Sequence, residues 1–191
     1  MKKLIAIFAL IAMSANISFA ADNLKGKTDV SFSLFDAVID GHGDLENAIG
    51  FGITGTHYVL PNLSLGADFS MNSNKSSQNG TNKVNINMFG IHSKLYAQPF
   101  KIGNTEWQAY GVLGIGTYGL ELKYNGGKAD DRAFGLNYGA GLMHYFSDNN
   151  LMLNLEIRTH HGFQEDLSQG GVQQFEKAVY TNYTVSIGYR F

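Results

Sequence analysis

Apolar and polar residues alternate along much of this chain. The alternation is strict at residues 63–71, 134–142, 151–158 and 182–191. In the first of these segments, Leu65 and Phe69 fall on the face opposite to Asp68. Because successive side chains of a strand point to opposite faces, this period predicts β-strands with one apolar face and one small or polar face.

Four further segments alternate less cleanly, at residues 30–34, 50–54, 83–98 and 107–124. The phase of the third segment shifts near Phe89 and Gly90, which predicts a β-bulge there. In the fourth segment Val112 and Leu113 are both apolar, so the pattern leaves its facing open. The chain is therefore predicted to form eight strands.

The connections between these segments alternate between short and long. Short turns are predicted at 60–62, 99–104 and 147–150, and longer polar loops at 36–46, 72–82, 125–132 and 160–177. Both prolines, Pro61 and Pro99, fall in short turns, where a missing N–H interrupts no strand pairing. This order predicts one domain, an up-and-down meander with its turns at one end and its loops at the other.

The first twenty residues have the features of a cleaved secretory signal. Lys2 and Lys3 precede an apolar run at 4–12, and the small residues Ser18 and Ala20 fit a cleavage site after Ala20. The run is too short for a helix that spans a bilayer. We expect residues 1–20 to be removed and residues 21–191 to form the mature domain.

The composition narrows the class of protein. Among 191 residues there are 23 glycines and no cysteine, 16% of residues are charged, 13% are aromatic, and the net charge is -2. So many aromatic residues with so little net charge argue against disorder, and the absence of a basic excess argues against nucleic acid as a partner. An exported chain without cysteine has no disulfides, so its stability must come from packing or closure.

The face opposite to the apolar one distinguishes a membrane barrel from a soluble sandwich. It consists of Gly, Ser, Asn and Thr with few charges, whereas a solvated strand face normally carries more Lys and Glu. Small polar side chains suit the narrow interior of a barrel whose apolar face contacts lipid. We predict that the few charges on this face pair inside as a lumen charge network, which consists of Asp68, Glu156, Arg158 and Arg190.

The chain ends on an aromatic residue after alternating apolar positions, which are Tyr183, Val185, Ile187, Tyr189 and Phe191. This pattern is similar to the C-terminal membrane-assembly signal of bacterial outer-membrane barrels. We expect Tyr183, Tyr189 and Phe191 to belong to an aromatic girdle near the periplasmic interface.

The mature chain as a whole resembles the small eight-stranded outer-membrane barrels of the OmpA/OmpX type, within the porin-like barrel superfamily. The stretches that carry the resemblance are 110–116, 134–142, 147–158 and 183–191. The resemblance implies an all-β, eight-stranded antiparallel up-and-down transmembrane β-barrel with periplasmic termini and surface loops. It is not expected to carry the peptidoglycan-tethering role of full-length OmpA, because the sequence shows no such periplasmic domain.

The same resemblance implies the surroundings of the protein. The expected partners are outer-membrane lipid and lipopolysaccharide, the outer-membrane assembly machinery, periplasmic chaperones, and a host or surface ligand bound through the loops. No cofactor is expected.

Two motifs resemble ligand sites. Residues 114–119 match GxGxxG, but they lie within a strand rather than before a helix, so we interpret these glycines as relief of crowding in the lumen. The first long loop carries Asp40, His42, Asp44 and Glu46, whose oxygens could bind a hard cation. The glycine and ligand order of an EF-hand is absent, so we favour a solvated loop and predict no metal site.

A third constellation suggests catalysis. Glu156, Arg158, His160 and His161 precede Glu165, Asp166 and Ser168, and a carboxylate-activated His could deprotonate a serine to attack a lipid ester. Some eight-stranded barrels deacylate or acylate lipid A, but the deacylases carry Ser two residues after the His. Gly162 and Phe163 stand at those positions here, so we predict an ion network and no enzyme.

The sequence is compatible with three roles. A structural or surface-interaction role through the loops is favoured. A small passive porin is the second hypothesis, although eight strands leave an interior that side chains just fill. A lipid A-modifying enzyme is the third.

Overall fold

The computed structural model describes residues 24–39, 48–75, 83–124, 127–146, 150–162 and 179–191. Within these ranges the chain forms nine strands, and no helix is long and apolar enough to cross a membrane. The strands are β1 (Thr28–Ile39), β2 (Ala48–Leu60), β3 (Leu63–Lys75), β4 (Lys83–Tyr96), β5 (Phe100–Ile102), β6 (Thr105–Tyr124), β7 (Gly127–Phe146), β8 (Leu151–Gly162) and β9 (Val179–Arg190).

The eight long strands close into a barrel. Each pairs antiparallel with its neighbours in the chain, and the ring is closed by β1 with β9 and by β4 with β6. β5 has only three residues and pairs with β6 outside this ring, Phe100 opposite Trp107. The predicted fold class, an eight-stranded antiparallel up-and-down β-barrel, is confirmed.

The two ends of the barrel differ. At one end, called the turn end here, short connections join β2 to β3 and β4 to β6, and the start of β1 lies beside the last residue, Phe191. There the backbone amide of Phe191 donates to the carbonyl of Thr28, with 2.8 Å between nitrogen and oxygen. The opposite end is called the loop end, because β1–β2, β3–β4, β6–β7 and β8–β9 are connected there.

The apolar face of the strands points outward, as predicted. Ile187 is 65% exposed and Leu113 is 60% exposed, whereas Asn137 on the inward face is 1% exposed. The outward apolar residues form a continuous ring, called the apolar belt here: Val30, Phe32, Leu34, Phe51, Ile53, Leu65, Phe69, Phe89, Ile91, Leu113, Ile115, Phe134, Leu136, Leu155, Ile157, Val185 and Ile187. A closed sheet leaves no backbone group unpaired against such a belt, which is the condition for spanning hydrocarbon.

The predicted bulge at Phe89 and Gly90 is wrong. β4 pairs without a register shift with both β3 and β6 along its whole length. Val84, Ile86 and Met88 belong to the inward face of the strand and are buried. The phase therefore never changes, because apolar residues fill the inward face of β4 at the loop end and the outward face further down.

The register shift that does occur lies between β2 and β3, at Tyr58 and Leu60. The facing of β6, which the sequence left open, is also fixed by the structure. Val112 is buried inside the barrel, and Leu113 is on the outward face. Both residues are apolar because one packs in the interior and the other belongs to the belt.

The strands at the loop end are longer than predicted. β7 has 20 residues, and Gly127–Arg132, expected in a loop, belong to it, whereas β6 ends at Tyr124, where its predicted segment ends. β1, β3 and β8 likewise extend to Ile39, Lys75 and Gly162, into segments that were expected to be loops. Backbone hydrogen bonds to a paired neighbour maintain these extensions, although they lack the apolar alternation that marks the belt.

The placement of Tyr183 in a girdle near the periplasmic interface is wrong. Tyr189 pairs with Val30 near the turn end, whereas Tyr183 pairs with Asp36 toward the loop end. Six residues separate the two tyrosines along β9, which corresponds to about 20 Å. Tyr183 therefore lies at the opposite border of the belt from Tyr189 and Phe191.

Candidate functional site

The interior of the barrel holds a cluster of buried charges at its middle. Arg158 on β8 lies between Asp68 on β3 and Glu156, also on β8. The distance is 3.2 Å from Arg158 Nη1 to Asp68 Oδ1 and 2.8 Å from Arg158 Nε to Glu156 Oε1. All three residues are buried. The structure thus brings together three of the four residues of the predicted lumen charge network.

β4 contributes two further polar groups to this cluster. Lys94 Nζ lies 3.1 Å from Glu156 Oε2, and His92 Nδ1 forms a hydrogen bond with Asp68 Oδ1. The hydroxyl of Tyr110 donates to Glu156 Oε2 at 2.7 Å. Two carboxylates thus face two basic side chains, Arg158 and Lys94, so opposite charges are paired within the part of the interior that is removed from water.

Arg190, the fourth predicted residue, belongs to a separate cluster at the turn end. Its Nε lies 2.8 Å from Asp29 Oδ1, and its guanidinium lies 3.5 Å from the ring centroid of Tyr145. The hydroxyls of Tyr58 and Tyr145 both donate to Asp29 Oδ2, at 2.9 and 2.6 Å. This ring of aromatic and charged groups closes the turn end of the interior.

Toward the loop end the interior becomes aromatic and then apolar. The ring of His160 stacks on Tyr180 with 4.5 Å between centroids, and its Nδ1 lies 3.2 Å from the hydroxyl of Tyr118. Above these rings, buried apolar side chains pack together as one cluster, Val84, Ile86, Met88 and Leu120 with Tyr118 and Tyr180. Side chains therefore occupy the interior at every level from one end to the other.

Glycines on the inward face make room for these large side chains. A Cβ at Gly141 would lie 2.3 Å from the hydroxyl oxygen of Tyr110, and one at Gly114 would lie 2.7 Å from Asn137 Oδ1. The close approach explains why glycine occurs at these two inward positions. Of the GxGxxG match, Gly114 agrees with the interpretation as relief of crowding, whereas Gly119 is on the outward face, where a Cβ would meet nothing closer than 3.9 Å. Such packing resembles a protein core more than a channel.

The two adjacent histidines do not share a site. His160 lies inside the barrel, whereas His161 is on the outward face, where its ring stacks on Tyr138 at 5.4 Å. Glu165, Asp166 and Ser168 lie outside the described residues, as do Asp40, His42, Asp44 and Glu46. Among the residues that the structure describes, no group of three His, Cys, Asp or Glu side chains is placed to hold a metal ion.

The residues of the predicted assembly signal share the outward face at the end of the chain. Tyr183, Val185, Ile187 and Tyr189 are exposed along β9, and Phe191 follows the strand directly. The ring centroids of Tyr189 and Phe191 lie 5.0 Å apart. They form an aromatic pair at the turn-end border of the belt.

Sequence reasoning missed several interior residues that carry the clusters. They are Asp29, Tyr58, His92, Lys94, Tyr110 and Tyr145. His92 and Lys94 alternate with the outward residues Ile91 and Leu95, so their inward facing could have been found from the period of two. Asp29 could have been found in the same way from its position before Val30.

An eight-stranded closed sheet with an apolar belt and a packed polar interior defines an integral outer-membrane β-barrel of Gram-negative bacteria. The chain belongs to the family of outer membrane protein beta-barrel domains, whose model matches residues 5–191. No curated protein matches the chain in sequence.

Solved structures of other outer-membrane barrels are similar in fold. Neisserial surface protein A is 11% identical over 86% of this chain and 96% of its own, with a TM-score of 0.59. OprG from Pseudomonas aeruginosa is 13% identical over 88% and 97%, with a TM-score of 0.57. Ail, the attachment invasion locus protein of Yersinia pestis, in complex with the heparin analogue sucrose octasulfate, is 18% identical over 87% and 99%, with a TM-score of 0.51.

Proposed function

We propose that this protein is a non-catalytic, non-conducting barrel that acts as a structural or surface-interaction protein through its extracellular loop end. One observation carries the proposal: side chains fill the interior at every level. The charges around Arg158 occupy the middle, the Asp29 cluster closes the turn end, and the apolar cluster around Ile86 fills the loop end.

The filled interior argues against a passive porin. Moving a hydrated ion past Arg158 would require breaking its contacts with Asp68 and Glu156, and separated buried charges are costly. A few interior atoms, such as Asn182 Oδ1, lack a hydrogen-bond partner among the described protein atoms. Isolated buried water molecules would satisfy such atoms. Isolated waters do not make a continuous path.

Among the described residues, the ribbon of β6 and β7 extends beyond the belt at the loop end, and β4 and β3 stay paired beside it as far as Lys83 and Lys75. The belt ends on β6 at Ile115 and on β7 at Phe134, but the two strands stay paired up to Tyr124 and Gly127. This ribbon extends beyond the belt by nine residues on β6, from Ile115 to Tyr124, which is roughly 30 Å along the strand. The structure of Ail, which is similar in fold, is a complex with a heparin analogue, so ligand binding is compatible with this architecture.

A shortened ribbon tests the interaction role. Leu120 and Asp131 are direct cross-strand partners, so residues 121–130 can be replaced by Asn-Gly, which forms a two-residue hairpin turn. We expect the variant barrel to fold, with unheated gel mobility like that of the wild type. Bacteria that produce it should lose the adherence to host cells or matrix that the wild-type protein confers.

Conductance and lipid analysis test the two alternatives. In planar bilayers we expect no stable current steps from the purified barrel, and large stable steps would support the porin instead. We expect an unchanged lipid A mass spectrum when the protein is produced, and a mass change would support the enzyme. The proposal also includes cleavage after Ala20 and recognition of the final strand by the assembly machinery.

A further inference from the structure

Four lysines form a row across neighbouring strands near the loop end. Lys75 on β3 pairs directly with Lys83 on β4, Lys83 pairs with Lys123 on β6, and Lys123 pairs with Lys128 on β7. All four side chains are exposed and lie on the outward face of their strands. This set is called the lysine row here. At the usual strand spacing it spans about 14 Å.

A row of like charges is unfavourable in the absence of an anion. Like charges directly opposite each other on adjacent strands destabilise a sheet. One carboxylate serves two of the lysines: Glu121 Oε2 lies 3.4 Å from Lys123 Nζ, and Glu121 Oε1 lies 3.9 Å from Lys128 Nζ. Asp130 and Arg132 share this outward face closer to the belt, so the surface keeps an excess of positive charge.

Protection of a free sheet edge explains only the two outer lysines of the row, Lys75 and Lys128, whose strands have one paired neighbour at this level. Lysines on edge strands prevent pairing with other chains. Lys83 and Lys123, however, lie on strands that are paired on both sides at this level. Their charge therefore blocks no open edge, and a ligand for the row is the more direct explanation.

The height of the row indicates what it faces. On all four strands the row lies six residues beyond a lower row that contains Phe69, Phe89 and Phe134 of the belt. Six residues are about 20 Å along a strand, or about 15 Å above the last belt residues once the usual barrel tilt is included. The side chains point sideways from the barrel, not along its axis. In an outer membrane that position is occupied by the saccharide of neighbouring lipopolysaccharide.

We propose that the lysine row is a lateral binding site for the anionic saccharide of lipopolysaccharide, through its phosphates and sugar-acid carboxylates. Several ammonium groups along one line match the several anionic groups of one such molecule. Arg132, two residues above Phe134, is placed to meet the phosphates nearest the acyl chains. The site would bind the barrel to adjacent lipopolysaccharide molecules, and this binding does not depend on whether the interior conducts ions.

Charge-removing variants of the purified barrel test this site. Detergent-solubilised protein, immobilised by a tag, is titrated with detergent-dispersed lipopolysaccharide. We expect K75Q/K83Q/K123Q/K128Q to bind at least about tenfold more weakly than wild type, since each basic residue near an anionic surface adds to the affinity. K75R/K83R/K123R/K128R should bind like the wild type, because it keeps the charge.

The matched control removes three exposed lysines at the turn end, K25Q/K27Q/K101Q, and should leave binding unchanged. Unheated gel mobility checks that each variant is folded. If the fourfold Gln variant fails this check, the double variants K75Q/K83Q and K123Q/K128Q are used instead. Each removes half of the lysine row and should weaken binding by less than the fourfold variant.

Three results would overturn the proposal. The first is equal binding by the wild type and the folded Gln variants. The second is equal binding of intact and dephosphorylated lipopolysaccharide by the wild type. The third is binding of soluble heparin without binding of lipopolysaccharide, which would assign the row to a sulfated glycan. None of these results depends on conductance or on adherence, so the proposed function is tested separately.

Discussion

Individual charged residues in the interior have defined partners across the barrel. Asp68 and Arg158 are 90 residues apart in the sequence, and Asp29 and Arg190 are 161 apart, yet each pair is in contact. The period of two predicts which residues face inward, because it depends only on strand geometry. It does not predict partners, because these depend on the register between strands and on closure. For that reason Arg190 was placed in one network with Arg158, although Asp29 is its partner.

Removal of Arg158 should be strongly destabilising. In Arg158→Leu, Asp68 and Glu156 remain buried without their shared cation, and loss of one partner of a buried pair costs about 3–5 kcal/mol. Urea unfolding in lipid vesicles, followed by gel mobility, measures the free energy of unfolding. Lys101→Leu at the exposed turn end is the control and should change it by less than about 0.5 kcal/mol. Equal stability of the two variants would contradict the buried cluster.

Whole strands were predicted well where one face is continuously apolar, as in β8 and β9. They were predicted poorly where that condition fails. In β4 the inward face is apolar at the loop end, so the sequence suggested a bulge although the register is regular. In β7 the outer part has no belt, so the sequence suggested a loop at 125–132, where the structure has strand from Gly127. Apolar alternation reports contact with lipid, whereas strand length depends on backbone pairing.

The interior apolar cluster at the loop end gives a test of β4. Ile86→Ala should cost about 2–5 kcal/mol, because it leaves a cavity that the packed interior cannot fill. Ile91→Ala, on the outward face of the same strand, should cost less because acyl chains can occupy the space. Both free energies of unfolding come from the same urea titration. A larger loss for Ile91→Ala would show that the facing of β4 is assigned incorrectly.

The free-energy cost of placing a charged side chain on the outward face should depend on its depth in the bilayer. Leu155→Arg and Leu153→Arg on β8 lie opposite the belt residues Val185 and Ile187, near the middle of the belt, and should each cost about 2–4 kcal/mol. Ser73→Arg is on the outward face of β3 but beyond the belt, so its stability should match the wild type. The three variants are compared by the yield of folded protein and by urea unfolding in vesicles. A cost for Ser73→Arg equal to that for Leu155→Arg would contradict the borders of the belt.

At the scale of the whole molecule, closure replaces the disulfides and the large apolar core of other exported proteins. The chain has no cysteine, and its apolar residues are divided between the belt and two interior clusters. The sequence predicted the closed barrel because small polar residues on one face of most strands suit a narrow lumen. It did not predict how the interior is filled. The space for the large tyrosines there is left by glycines on other strands, and the sequence alone does not show which strands face each other across the interior.

The most direct test of the account measures contact between the belt and acyl chains. The absence of cysteine allows single labels, and Ile91→Cys, Leu155→Cys and Ser73→Cys are each labelled with a fluorophore before refolding into vesicles with brominated acyl chains. The account predicts strong quenching at residues 91 and 155 and little at residue 73, which is outward but beyond the belt. Unquenched labels at both 91 and 155 would contradict it, because the apolar face would then point away from the membrane.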